Sequence, residues 1–194
     1  MAKKIFVGFF IIVFNLIFVF QLNAFQNQKI LMIIASQNFR DEELLKPKKI
    51  FEEHGFKVVI ASSSSSVSSG MLGAKVKPDI LINNLDLEEY KAVVFVGGVG
   101  AKEYFNNPVA LKIAMDAMKQ NKVVAAICIA PRILSEAGIL NGKKATVWKS
   151  EAEALKSKGA IYTGADVEID GNIVTASGPH AAENFGNTII KMLK

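Results

Sequence analysis

The chain has one cysteine, two histidines and one tryptophan among 194 residues. A single cysteine excludes an internal disulfide framework. Two histidines and one cysteine make no metal-ligand spacing, so a structural zinc is not expected, and no cofactor is expected either. No basic stripe interleaved with aromatics is present, which argues against a nucleic-acid partner. There is no internal repeat and no linker long enough to separate domains. With 51% hydrophobic and 21% charged residues the chain is neither disordered nor collagen-like. Its length suits one α/β domain or two small ones, with enough chain to bury a core.

What is present is unevenly spread. Residues 5–20 read IFVGFFIIVFNLIFVF and hold six of the thirteen phenylalanines. Lys3 and Lys4 precede this run and Ala24 follows it, the pattern of a secretory signal peptide cleaved after Ala24. The run is shorter than the roughly 20 residues that span a bilayer, and Asn15 interrupts it. The competing reading is an uncleaved helix that anchors the protein, the one route by which it would meet a membrane. The expected organisation is therefore a signal peptide at 1–24 and a domain at 25–194, placed in the periplasm or outside the cell. Without residues 1–24 the chain keeps 170 residues and a net charge of +3, too mild to suggest acidic partners.

Strand and helix patterns then alternate. Residues 29–35 (KILMIIA), 57–61 (KVVIA), 91–96 (KAVVFV) and 122–127 (KVVAAI) are short apolar runs suited to strands buried on both faces. Asp41 can cap a helix running toward Glu53, with Pro47 breaking or restarting it and Gly55 ending it. His54, near that end, suits the negative helix terminus. The serine run 62–69 reads as a solvated loop, and 71–85 as a small hairpin or irregular extension. Ala110, Ile113, Ala114, Ala117 and Met118 form one helical face, and Ala182, Phe185, Gly186, Ile189 and Leu193 another. Gly138 closes a short helix after Pro131. Residues 167–170 and 172–176 flank Gly171 in an Asp-Gly hairpin signal. The whole reads as one doubly wound α/β domain.

In such sheets ligands bind at the carboxyl ends of the strands. Cys128 lies where a strand turns abruptly into a helix, and Ala126 and Ala130 have the small side chains that a nucleophile elbow demands. The following helix start would favour thiolate over thiol. The plainer reading is a small buried hydrophobe. Phe39-Arg40-Asp41-Glu42-Glu43, past the first strand, is either a solvated helix start or the source of one carboxyl turned toward the thiol. Gly97-Gly98-Val99-Gly100 lacks dinucleotide-binding spacing, and its backbone N–H groups suit a developing oxyanion better. His180 reads as a surface residue at a helix start, or as a base or substrate contact bordering the site.

The segment AAICIAPRILSEAGILNGKKAT, with FVGG upstream, FRDEEL after the first strand and GNIVTASGP before the last helix, resembles the ThiJ/PfpI superfamily. That group includes proteins of the Parkinson disease protein 7 type, archaeal intracellular proteases, glyoxalases and stress chaperones. The resemblance runs from about Lys29 to the end. It implies a flavodoxin-like three-layer sandwich with a mostly parallel sheet, related to type 1 glutamine amidotransferase domains and usually homodimeric. It also implies Cys128 as nucleophile, Glu43 as the acid in contact with it, and the N–H groups of Gly98 and Ile129 as the oxyanion site. The chain departs from the family at both usual histidine positions, which hold Ile129 and Trp148. Three functions follow as expectations. Cys128 acts on small reactive carbonyls or their adducts, or serves as an oxidative-stress sensor, with a small molecule or oxidant as partner. Alternatively the protein is a cysteine peptidase or amidase using His180. A third possibility is a chaperone or binding module that makes no use of the thiol.

Overall fold

The computed structural model describes residues 28–194, so the expected signal segment lies outside the described residues. In chain order the elements are β1 (Lys29–Ile33), β2 (Gln37–Phe39), α1 (Asp41–Glu53), β3 (Lys57–Ser62), β4 (Ser68–Gly70), β5 (Lys75–Val76), β6 (Ile80–Leu81) and β7 (Tyr90–Phe95). Then come α2 (Pro108–Lys119), β8 (Val123–Ile127), α3 (Pro131–Glu136), β9 (Lys144–Ala145), α4 (Ala152–Ser157), β10 (Ile161–Tyr162), β11 (Val167–Asp170), β12 (Ile173–Ala176) and α5 (Ala182–Leu193). The main sheet has the order β11-β12-β8-β7-β1-β3-β6 and is parallel except for β11.

The apolar runs become the middle of this sheet because parallel strands need cover on both faces. Ile30–Ile33, Ala92–Phe95 and Val124–Ile127 are all buried. Helices α1 and α5 pack together against one face, and α2 and α3 pack together against the other. The α/β class and the mostly parallel three-layer sheet thus agree with the sequence reading. Gly171, at φ +60°, turns β11 into β12 as the Asp-Gly signal implies.

Three local expectations are corrected. Pro47 does not interrupt α1, which is continuous from Asp41 to Glu53. A proline this deep in a helix forfeits a backbone hydrogen bond and costs about 3 kcal/mol in an open setting. Here Pro47 is buried against α5, where Gly186 has no Cβ: one added there would sit 3.1 Å from Pro47 Cα and 3.0 Å from Ile50 Cδ1. Close approach of the two helices offsets the lost bond. Second, Asp41 is not the cap. The helix starts after Arg40 with no side-chain cap, and the buried Asp41 carboxylate accepts the N–H groups of Leu72 and Ala74, each at 2.8 Å. Third, the serine run is a loop only over 63–67. Ser62 closes β3 and Ser68 opens β4, and both are buried. His54 behaves as expected, with Nδ1 2.8 Å from the Ile50 carbonyl oxygen, which accepts from it at the helix end.

Candidate active site

Strand register brings the site together. Ile33 pairs with Phe95, and Phe95 with Ala126. Two residues further along each chain lie Ala35, Gly97 and Cys128, beyond the carboxyl ends of β1, β7 and β8.

Cys128 has φ +63°, the left-handed region. Among the described residues the other non-glycine cases are Asn38 and Asn121, and asparagine tolerates that region far better than cysteine. The strain costs about 1–2 kcal/mol and is sustained by its surroundings. The Cys128 N–H donates to the Ala176 carbonyl (2.9 Å), and its own carbonyl accepts the Trp148 N–H (2.8 Å). Ala126 and Ala130 are buried on either side, as an elbow requires.

Glu43, in the first turn of α1, is 0% exposed. Neither carboxyl oxygen makes a full hydrogen bond within the protein. Its polar neighbours are the Cys128 thiol and the Gly97 N–H. Burial outweighs both and pushes the carboxyl up to about 8, so Glu43 carries a proton at neutral pH. Cys128 is pushed up to about 12, first by burial and then by the neighbouring acid. The N–H groups of Gly98 and Ile129 face the sulfur and work against that rise without reversing it. Burial and the neighbouring acid both oppose the expected low-pKa thiolate. The dipole invoked for it belongs to α3, which is only six residues long. Two acidic groups out of water release their protons in sequence, as a pair.

The glycines that precede this point have separate tasks. Gly97 makes room for the pair: a Cβ there would overlap Glu43 Oε2 and lie 2.5 Å from Cys128 Cβ. Gly98, at φ +92°, lets the backbone at 97–98 touch that at 38–40, where the Arg40 N–H donates to the Gly97 carbonyl (3.0 Å). This contact sets the start of α1, and with it Glu43, over the elbow.

A cleft of about 240 Å³ opens above the sulfur. Cys128, Glu43, Gly98 and Ile129 all line it, so the four residues named from the sequence do meet. His180 does not line it, although its neighbour Pro179 does. The exposed His180 ring is turned to Asp166 (Nε2 to Oδ1, 3.0 Å) and Ser177 (Oγ, 3.2 Å). Trp148, Met71, Val99 and Arg40 complete the lining. Sequence reasoning did not find Met71, which the β4–β5 turn delivers, nor the part that Asp41 plays in holding that turn. Only the run of acids at 41–43 hinted at a second buried carboxylate. Among the described residues no group of three His, Cys, Asp or Glu side chains is placed to hold a metal ion.

Comparison with known proteins agrees with this geometry. Residues 28–192 match the DJ-1/PfpI family. The chain is 44% identical over 172 residues to an uncharacterised protein of Methanocaldococcus jannaschii, covering 87% of this chain and 84% of that one. It is 32% identical over 166 residues to a protein of Pyrococcus horikoshii named a deglycase, covering 86% of this chain and 99% of the other. It is 31% identical over 169 residues to YraA of Bacillus subtilis, whose name proposes a cysteine protease, covering 87% and 99%. Among solved structures, a ThiJ/PfpI domain protein from Brachyspira murdochii superposes with TM-score 0.84 at 33% identity, over 85% of this chain and 95% of that chain. The match spans the elbow, the acidic turn and every strand of the main sheet, and the chain belongs to the DJ-1/PfpI family.

Proposed function

We propose that the protein is an enzyme acting on small reactive carbonyl compounds or their adducts, with Cys128 as nucleophile and Glu43 as proton carrier. The observation that carries this reading is a strained thiol beside a fully buried carboxyl whose two oxygens have no full hydrogen bond. A neutral pair of this kind suits addition to an aldehyde. The sulfur forms a bond to the carbonyl carbon while the π electrons move to oxygen. Glu43 gives its proton to that oxygen and takes the thiol proton through its other oxygen. The product is a neutral hemithioacetal, and Glu43 ends protonated, as it began. The N–H groups of Gly98 and Ile129 would hold the oxygen as charge develops on it.

Relatives named deglycases support this reading. Support for a peptidase is weaker, because amide cleavage needs a donor for the leaving amine and His180 is turned to Asp166 and Ser177. A redox sensor would favour a thiolate at rest, and burial opposes one. Export belongs to the same proposal, on the strength of Lys3-Lys4 and the run at 5–20. The mass of the exported chain tests it, with loss of residues 1–24 expected. A homodimer is proposed from the family resemblance alone, and sedimentation checks it. The direct test of function is turnover of methylglyoxal by the wild type beside Cys128→Ala. A loss of at least about 10³-fold is expected; turnover unchanged in the variant would refute the reading.

A further inference from the structure

We infer that the cleft selects carbonyl compounds bearing a flat apolar group, with Trp148 as the residue that sets the preference, an inference that rests on the carbonyl reading above. The first ground is the absence of a handle for charge. Apart from the reacting pair, the one ionisable side chain on the lining is Arg40, and Glu42 grips it at both prongs, Nε to Oε2 at 2.8 Å and Nη2 to Oε1 at 3.0 Å. With Glu42 already paired to it, Arg40 offers a substrate carboxylate or phosphate no net positive charge. The remaining lining side chains, Met71, Val99, Ile129, Trp148 and Pro179, are apolar.

The second ground is that this rim is built, although much of it faces water. Trp148 is 44% exposed and Val99 53%, an apolar expanse that calls for a purpose. Each segment is nevertheless held. The Met71 N–H donates to the Phe39 carbonyl (2.9 Å), and Asp41 fixes the two residues on either side of Gly73. The Trp148 backbone is bound to the carbonyl of Cys128 itself. Its ring rests on Gly178, where a Cβ would stand 2.8 and 2.9 Å from Cε3 and Cζ3. Gly178 has an extended backbone that any residue adopts, so the indole is what excludes a side chain there. An anchored aromatic platform beside the nucleophile offers stacking to a planar group. The space is adequate: a cavity of about 150 Å³ takes benzene, and this cleft has about 240 Å³.

Trp148 is the sole tryptophan, so its emission reports occupancy without any turnover. In full-length Cys128→Ser, benzylacetone should give a saturable blue shift, whereas butanone, the same ketone without the ring, should give none at equal concentration. In turnover, the ratio of kcat/KM for phenylglyoxal to that for methylglyoxal should fall at least about tenfold in Trp148→Ala and stay within about threefold of wild type in Trp148→Phe. The inference is overturned if benzylacetone gives no saturable shift. It is also overturned if the ratio survives Trp148→Ala, or if the protein sediments as a dimer whose Trp148 emission is already blue-shifted and indifferent to the ketone. A saturable shift with no turnover of either dicarbonyl would instead sink the carbonyl reading and leave the aromatic site standing.

Discussion

Glu43 and Cys128 are each unfavourable where they sit, and their chemistry follows from that. Burial favours the protonated carboxyl, and burial together with the acid favours the protonated thiol. An acid that stays neutral near pH 7 can both donate and accept within one step. Glu43→Gln keeps the shape and the donor but cannot take up the thiol proton. Under the proposed chemistry it should lower kcat/KM for methylglyoxal by about 10²–10⁴-fold, read by steady-state kinetics, and an effect below threefold would argue against proton carriage. Cys128 was legible in the sequence because a strand running into Pro131 between small alanines leaves little but an elbow. Glu43 came from family resemblance, since nothing in a row of acids says which one turns inward. Asp41 was misread because a cap and a clamp for a distant turn look alike in one dimension.

At the scale of elements, α1 is the piece that aims the acid. Its start is tied to β7 by the Arg40–Gly97 bond, and its middle is pressed on α5 at Pro47 and Gly186. Gly186→Val adds volume at a contact with 3.0–3.1 Å clearance even for a Cβ. It should destabilise the fold by about 1–3 kcal/mol, measured by denaturant unfolding. No loss of stability would mean that α1 can slide, and that Glu43 is not rigidly placed. The last two long helices were legible from their periodicity, and the central strands from their unbroken apolar runs. The pair β9 and β10, each two residues long, and α4 were not, because so few residues carry no period and their pairing partners are distant in the chain.

At the scale of the molecule, a buried acid makes stability depend on pH. In the unfolded chain a glutamate titrates near ~4.3, and in the fold Glu43 titrates near about 8. Between these values the native state holds a proton that the unfolded state has released. The stabilisation is complete below the lower value and is lost as pH rises through the upper one. Thermal unfolding from pH 5 to pH 9 should show the wild type losing stability relative to Glu43→Gln by an amount on the order of a few kcal/mol across that window. Parallel curves would mean that the acid is already ionised. The parallel sheet itself was legible, since four apolar runs, two successive pairs of them separated by helical patterns, admit few other folds. Register was not: that Gly97 and Cys128 fall side by side depends on pairings between β7 and β8, about thirty residues apart.

Cys128 and Glu43 should titrate as one pair, fully protonated at neutral pH. The rate of Cys128 alkylation by iodoacetamide, followed against pH in the wild type and in Glu43→Gln, tests it most directly. The wild type should react slowly at pH 7 and show a step near about 8 that disappears in the variant. A single inflection below pH 7, the same in both proteins, would contradict the account.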